Sequence, residues 1–125
     1  MVRTCISILV ALGFILGLTF LELHYVQEAF DSYRNVLTGL YEKTENGDAT
    51  HEDGIAAQRH WTHMKKSLHI WLPHNAIENL DFHLSEALGY LYEGQFTDAL
   101  PKIEVLIDMT ENIPHAFEFS IENIL

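Results

Sequence analysis

The sequence has a single cysteine, and this scarcity is the first constraint on its fold. Cys5 is alone among 125 residues, so the chain forms no internal disulfide and must be held together by packing. The cysteine lies at the edge of an apolar run, where we expect a structural role rather than acylation. About 100 residues follow that run, which is enough for one domain with a modest core.

Basic residues are also few. Seven Lys and Arg residues oppose 18 Asp and Glu residues, the formal charge is −11, and only Arg3 and Glu22 are charged before residue 24. Such an acidic chain repels the phosphates of nucleic acids, so we expect no nucleic-acid partner. Anionic lipid headgroups are repelled as well, which favours a domain that stands off the membrane surface.

The motifs of familiar catalytic sites are missing too. The chain has no Gly-rich phosphate-binding loop, no G-x-S-x-G nucleophile elbow and no cysteine outside the apolar run. Carboxylate pairs such as Glu52 with Asp53, or Asp108 with Glu111, are typical of solvated helix faces. We therefore expect a protein that is not an enzyme, that uses no cofactor and that has no evident small-molecule substrate.

What the sequence does contain is an apolar run without charge from Cys5 to Leu21. With Leu23 and Val26 it reaches the ~20 residues that a helix needs to cross a bilayer. A cleaved signal peptide is the alternative, but the run exceeds the ~7–15 apolar residues of such peptides and has no A-x-A-like cleavage site. We predict a membrane anchor over residues 1–23 and an acidic extracytoplasmic helical domain over residues 24–125.

The orientation of this anchor follows from the bases around it. Arg3 and the terminal amine precede the run, and the first base after it is Arg34. The positive-inside rule therefore predicts a single-pass protein of the cell membrane, with a cytoplasmic N-terminus and the C-terminal domain outside.

Apolar residues recur at helical spacing along the rest of the chain, and no stretch shows the alternation of a strand. The rhythm predicts that the spanning helix continues to about Leu40 and is followed by helices over 55–72, over 74–92 and from Thr97 onward. The predicted buried positions are Leu23, Val26, Phe30, Tyr33, Leu37, Leu40, Ile55, Ala57, Trp61, Met64, Leu68, Trp71 or Leu72, Ile77, Leu80, Leu84, Ala87, Leu88, Leu91, Ala99, Leu100, Ile103, Leu106, Ile107 and Thr110.

Polar residues, Gly and Pro punctuate these helices. Residues 44–54 read as a polar loop, and Asn75 is a predicted N-cap because Glu78 follows it in the capping-box spacing. Pro114 is expected to stop the fourth helix, leaving an apolar tail from His115 that packs across the bundle. The predicted fold is all-α: an N-terminal transmembrane helix that continues into a small up-down four-helix bundle.

Eight histidines in so short a chain raise the question of a metal site. His60 and His63 have a helical ligand spacing, and His74 is a third weak candidate, but no established metal-binding signature is present. Bases near the pair would repel a cation, so we expect no metal. Histidines also titrate between pH 5 and 8, which leaves a metal- or pH-responsive sensor as an alternative function.

Trp61 and Trp71 are the candidate partner-binding residues. At helical spacing with Met64 and Leu68 they are first of all expected in the core. A thin bundle that carries two Trp residues in one helix can nevertheless leave one ring exposed, and exposed Trp is a frequent anchor of protein interfaces.

Several short marks give the chain a resemblance to a known family. They are Trp61 followed by Lys65, the step from Pro73-His74 into Ile77-Glu78, and the terminal Asn123-Ile124-Leu125. With these marks the chain resembles, over nearly its full length, an uncharacterised bacterial family of short single-span membrane proteins, domain of unknown function 4363. The resemblance implies a fold and a location, and it implies no activity, cofactor or catalytic residue.

Taken together, these features predict a membrane-anchored helical protein that binds or scaffolds another membrane or envelope protein, or a second copy of itself.

Overall fold

The computed structural model describes residues 1–70 and 72–124, with side chains described up to residue 116. Its four helices are α1 (Val2–Glu45), α2 (His51–Leu68), α3 (His74–Tyr92) and α4 (Phe96–Ile124). Each helix packs on its neighbours in chain order, and α4 closes the arrangement by packing on α1. The predicted all-α, up-down four-helix bundle is confirmed.

The first helix has two parts with opposite surroundings. Its apolar part near the N-terminus is exposed throughout, while the part from Val26 onward carries buried residues of the bundle core. No break separates the two parts, so α1 passes through the predicted boundary at residue 23 as one helix. Among the described residues, α1 is the one helix that is long and apolar enough to cross a membrane, a criterion that a signal sequence near the N-terminus also meets.

The core lies on the inner faces of all four helices. Its largest fully buried side chains include Trp61, Tyr33 and Phe30. Most predicted core positions are confirmed as buried, whereas Leu23, Ile55, Leu100 and Ile107 are only half-buried and Trp71 lies outside the described residues. The buried apolar residues are Val26, Phe30, Tyr33, Leu37, Leu40, Ala49, Ala57, Trp61, Met64, Leu68, Leu72, Ile77, Leu80, Leu84, Ala87, Leu88, Leu91, Ala99, Ile103 and Leu106.

Two glycines end helices at the same end of the bundle. Gly47 follows α1 with a φ of 77°, and Gly94 follows α3 with a φ of 72°. Each is part of a Schellman motif, in which the residue after the glycine donates back into the helix: Asp48 N to Lys43 O at 2.8 Å, and Gln95 N to Tyr90 O at 2.8 Å. The positive φ explains why these turns use glycine.

The second helix begins four residues before the predicted start at Ile55. Thr50 is its N-cap: the Thr50 hydroxyl accepts from Asp53 N at 3.2 Å, and the Asp53 carboxylate accepts from Thr50 N at 2.9 Å. This reciprocal capping box satisfies two amide groups that would otherwise lack partners, so the helix starts inside the predicted loop.

The predicted N-cap at Asn75 is wrong. The helix α3 starts at His74 with Pro73 in the N-cap position, and no side chain there makes a capping hydrogen bond. Pro73 fixes its own φ at −58° and has no N–H to satisfy, which is why the helix can start directly after it.

The predicted stop at Pro114 is also wrong, because α4 continues from Phe96 to Ile124 with Pro101 and Pro114 inside it. Pro114 cannot donate to the carbonyl of Thr110 one turn earlier. The Arg34 side chain of α1 donates to that carbonyl instead. The predicted packing of the apolar tail concerns side chains from residue 117 onward, which lie outside the described residues.

Candidate functional site

A partly buried polar contact joins Trp61 of α2 to Asp81 of α3. The indole Nε1 donates to Asp81 Oδ1 at 2.6 Å, and Lys65 Nζ lies 3.2 Å from Asp81 Oδ2. Trp61 is 1% exposed, whereas the Lys65 and Asp81 side chains are about one third exposed. The carboxylate therefore satisfies a buried N–H on its inner side and a lysine on its outer side.

A second polar group lies on the α1 side of Trp61. The His60 ring stacks on Tyr33 with centroids 5.4 Å apart and 7° between the planes. Within the described residues, the buried Tyr33 hydroxyl and His60 Nδ1 have no hydrogen-bond partner. Burial, and secondarily the negative charge of Asp81, raises the pKa of Tyr33, so its hydroxyl is protonated at neutral pH.

Burial also affects the histidine of this group. It lowers the pKa of His60 from 6.5, and the neighbouring His63 lowers it further. His60 is therefore held neutral near pH 7, stacked against a tyrosine that is also neutral.

An open cleft lies beside Asp81, between the end of α2 and the start of α3. Its volume is about 540 Å³, a size that accepts a small organic molecule. Four of its side chains are already paired, since Lys65 contacts Asp81 and His74 Nε2 is 2.9 Å from Glu78 Oε1. The lining residues are Lys65, Lys66, His69, His74, Ile77, Glu78 and Asp81.

The structure does not assemble the three candidate metal ligands. His60 is half-buried and stacks on Tyr33, His63 is exposed on α2 and His74 is paired with Glu78 on α3. In the described part of the chain, no group of three or more His, Cys, Asp or Glu side chains is placed to hold a metal ion.

Of the two candidate partner-binding tryptophans, Trp61 is buried in the bundle core. The Trp61 ring packs against Phe30 and Tyr33 with centroids 6.3 Å and 5.8 Å away, and it makes its hydrogen bond inside the bundle. A partner could reach this ring only by opening the helices. Trp71 lies outside the described residues, so its role in binding a partner stays a prediction.

Asp81 is the site residue that the sequence reasoning missed. It directly follows the buried Leu80 and lies three residues before the buried Leu84. The sequence signal for this residue was a carboxylate at the margin of an apolar helix face. The neighbouring helix carries Trp and Lys four residues apart, and both can bond a carboxylate.

Comparison with protein families decides what this bundle is. A family model described as a domain of unknown function (DUF4363) matches residues 20–124. The chain belongs to the DUF4363 family. The resemblance read from the sequence is thereby confirmed. Neither a curated protein nor a solved structure matches the chain.

The first and last residues of the DUF4363 match lie close to the ends of the helical bundle. The match begins at residue 20, two residues before the first acidic residue, and runs to the last described turn of α4. It therefore covers the parts of all four helices that form the bundle and leaves out most of the exposed apolar part of α1.

Proposed function

We propose that this DUF4363 protein is a single-span membrane protein whose helical bundle binds or scaffolds another membrane or envelope protein. The observation that carries the proposal is the continuity of α1. One helix of 44 residues exposes its first half and buries residues such as Val26 and Phe30 of its second half in the bundle. Exposed apolar residues are costly in water, and a lipid bilayer removes that cost.

The orientation in this proposal has the N-terminus in the cytoplasm and the bundle outside. Arg3 precedes the apolar run, and the bundle after it carries all but one of the acidic residues. A bundle on that side is held at a fixed distance from the membrane, since the helix that anchors it also forms one of its walls.

A binding role without catalysis is supported by the engagement of the polar residues. Asp53 caps α2, Asp81 holds Trp61 and Lys65, and Glu78 is paired with His74. These carboxylates serve the fold or surface ion pairs. The exposed helix faces are the surfaces that remain for recognising another protein.

The experiment that tests this proposal has two steps on the full chain in native membranes. Cys5 lies at the N-terminal edge of the apolar run and a cysteine introduced at Asp48 lies beyond α1, so a membrane-impermeant thiol reagent should label Asp48→Cys from outside and leave Cys5 unlabelled. Labelling of Cys5 alone would indicate the opposite orientation. Release of the protein by alkaline washing would contradict the proposed membrane span.

The second step is crosslinking from the bundle with identification of the products. A partner protein crosslinked to the wild-type bundle, and retained after Trp71→Ala, supports a helix-face interface. Loss of the partner in Trp71→Ala, with the bundle still folded, assigns the interface to Trp71. Absence of any crosslinked protein, this chain included, contradicts the binding role.

A pH-responsive bundle is a second candidate function, and His60 is the observation that favours it. Its buried, unpartnered Nδ1 and lowered pKa mean that protonation disturbs the stack on Tyr33. If binding of the partner changes with pH between about 5 and 8 in the wild type and not in His60→Gln, this role is supported. An unchanged pH profile in the variant contradicts it.

A further inference from the structure

The sequence from Gly54 to Ile77 contains neither Asp nor Glu, although the whole chain has 18 of them. The same stretch holds three of the seven Lys and Arg residues and four of the eight His residues. Most of it is α2. This helix is therefore the basic part of a strongly acidic protein, and its charge requires an explanation.

The charge of α2 is concentrated on its outer side. Arg59, His63 and Lys66 are spaced by four and three residues, which places them on one side of the helix, and all three are exposed. We call them the basic face. Lys65 is turned aside to Asp81. Among the described residues, neither Arg59 nor Lys66 has an acidic partner.

The outer side of α4 carries the opposite charge. Glu104, Asp108 and Glu111 are spaced by four and three residues and are exposed; we call them the acidic face. The one Lys or Arg residue of α4, Lys102, is 3.1 Å from Glu86 of α3 and so is engaged within the bundle. Glu111 lies at the edge of ion-pair distance from Arg34, 4.0 Å away.

The two faces lie at diagonal corners of the bundle and at similar heights. In the described part of the chain, α2 and α4 each pack on α1 and α3 and not on one another. Trp61 of α2 lies 2.6 Å from Asp81 of α3, and Lys102 of α4 lies 3.1 Å from Glu86, five residues further along α3. Both α2 and α4 run in the direction opposite to α3, so Trp61 is about level with Ile107 of α4, and the basic and acidic faces lie at similar heights.

We propose that the basic face of one copy packs against the acidic face of a second copy in the same membrane. The inference rests on the proposed function, because the shared bilayer is what holds two copies upright and level. A second copy is the occupant that these observations select: it presents acids with the same helical spacing, at the height of Arg59 and Lys66.

The resulting contact uses two different surfaces, one from each copy. Such a heterologous contact continues from copy to copy into a ring or a row. Each exposed ion pair contributes little by itself, so the association depends on several pairs acting together and on the high local concentration of copies anchored in one membrane. It is also sensitive to salt, since these charges are solvated.

Disulfide crosslinking between two tagged copies tests this arrangement. Thr62 and Asn112 are exposed, uncharged residues beside the basic and acidic faces. In a Cys5→Ser background, one copy carries Thr62→Cys and the other Asn112→Cys, both as full-length chains in membranes. Mild oxidation should give several-fold more of the mixed product than of either symmetric product, and raising the salt from about 50 mM to about 0.5 M should reduce it several-fold.

Charge-reversal variants show whether a loss of crosslinking comes from lost charge complementarity or from misfolding. Arg59→Glu with Lys66→Glu in the Thr62→Cys copy should reduce the mixed product several-fold. Glu104→Lys with Asp108→Lys in the Asn112→Cys copy should then restore it, because both faces have exchanged sign. Glu93→Lys, an exposed residue between α3 and α4, is the matched control and should leave the yield unchanged.

The outcomes distinguish this inference from the proposed function. Mixed products that charge reversal abolishes and double reversal restores support the self-association. Predominant symmetric products, or failure of the restoring variant, overturn it. Products between Thr62→Cys and a different protein, with none between copies, also overturn it while the proposed binding role stands. Loss of the protein from the membrane fraction would contradict the span itself.

Discussion

Arg34 of α1 donates to Thr110 of α4 through two hydrogen bonds, one to the hydroxyl at 3.2 Å and one to the backbone carbonyl at 3.4 Å. That carbonyl is the one that Pro114, four residues later, cannot serve because proline has no N–H. The Thr110 hydroxyl is itself turned back to the carbonyl of Ile107 at 2.6 Å. The guanidinium of one helix thus supplies the hydrogen bond that a proline removes from another.

Replacing this arginine should destabilise the bundle in a way that depends on the proline. Arg34→Met should lower the free energy of unfolding by about 1.5–3 kcal/mol, the range for hydrogen bonds to a charged group. In a Pro114→Ala background the new amide donates to Thr110, so the same substitution should cost about 1 kcal/mol less. Chemical denaturation of the four variants in detergent measures this coupling. If the destabilisations of the two single variants sum to that of the double variant within about 0.5 kcal/mol, the two residues act independently.

The carboxylate of Asp81 should matter more than its exposure suggests. Asp81→Ala leaves the buried Trp61 N–H without a partner and should cost about 1–3 kcal/mol. Glu78→Ala, which removes the exposed ion pair with His74, is the matched control and should cost at most about 1 kcal/mol. Thermal unfolding measures both. Equal effects would mean that Asp81 acts only as a surface charge.

The lowered pKa of His60 gives the bundle a defined dependence on pH. The unfolded chain binds this proton at about its ordinary value of 6.5 and the folded chain only at lower pH, so unfolding takes up a proton in between. The free energy of unfolding should therefore fall as the pH falls below about 6.5, by no more than about 1.4 kcal/mol per pH unit for one proton. Denaturation at several pH values should show a shallower slope in His60→Gln.

The neighbouring His63 provides a check on this cause. Because His63 helps to lower the pKa of His60, the substitution His63→Gln should move that pKa back toward 6.5. Titration of the His60 ring by NMR measures the shift directly. A pKa of His60 that stays in place would assign the whole effect to burial.

Two glycines inside helices should respond oppositely to larger residues. A Cβ at Gly54 of α2 would lie 2.5 Å from Leu88 Cδ2 and 3.2 Å from Leu91 Cδ1 of α3, whereas a Cβ at Gly39 of α1 meets nothing within 4 Å. Gly54→Val should therefore cost about 1–3 kcal/mol by overpacking. Gly39→Ala should stabilise the bundle by about 0.5–1 kcal/mol because alanine favours a helix. Unfolding midpoints that shift in the same direction would contradict this assignment.

A charge in the apolar part of α1 should affect insertion and leave the bundle intact. Leu12 is 51% exposed and lies far along the chain from the core residues. Leu12→Arg should raise the free energy of membrane insertion by about 2.5–3.5 kcal/mol, with Leu12→Ile as the neutral control. The fraction resistant to alkaline extraction measures insertion. Full resistance in the arginine variant would show that α1 is held to the membrane by other means.

The apolar spacing was sufficient to predict the helices, because their inner faces are regular. Val26, Phe30, Tyr33, Leu37 and Leu40 follow the three-and-four rhythm and all are buried. The ends of the helices were predicted less well, since they depend on single hydrogen bonds. The start of α2 was missed although the pair Thr50 and Asp53 has the capping-box spacing with Asp in place of Glu.

The polar contacts depend on which helices become neighbours, and one sequence does not show this. Nothing local indicates that Arg34 compensates for a proline some 80 residues away, or that Trp61 bonds Asp81. The partner-binding role of Trp61 was inferred from its residue type, whereas its burial follows from a position on the inner side of α2 facing Phe30 and Tyr33.

In the proposed single-span arrangement, the uninterrupted helix from Val2 to Glu45 would link the orientation of the bundle to the thickness of the bilayer. Helices in membranes tilt by ~20° on average, and more where the bilayer is thin. Beyond Glu22, α1 extends for about 35 Å, so a tilt of ~20° moves its far end sideways by roughly 10 Å. The bundle would thus lie at a different lateral distance from its membrane span in membranes of different thickness. The lipid composition would help to decide which neighbouring proteins it can contact.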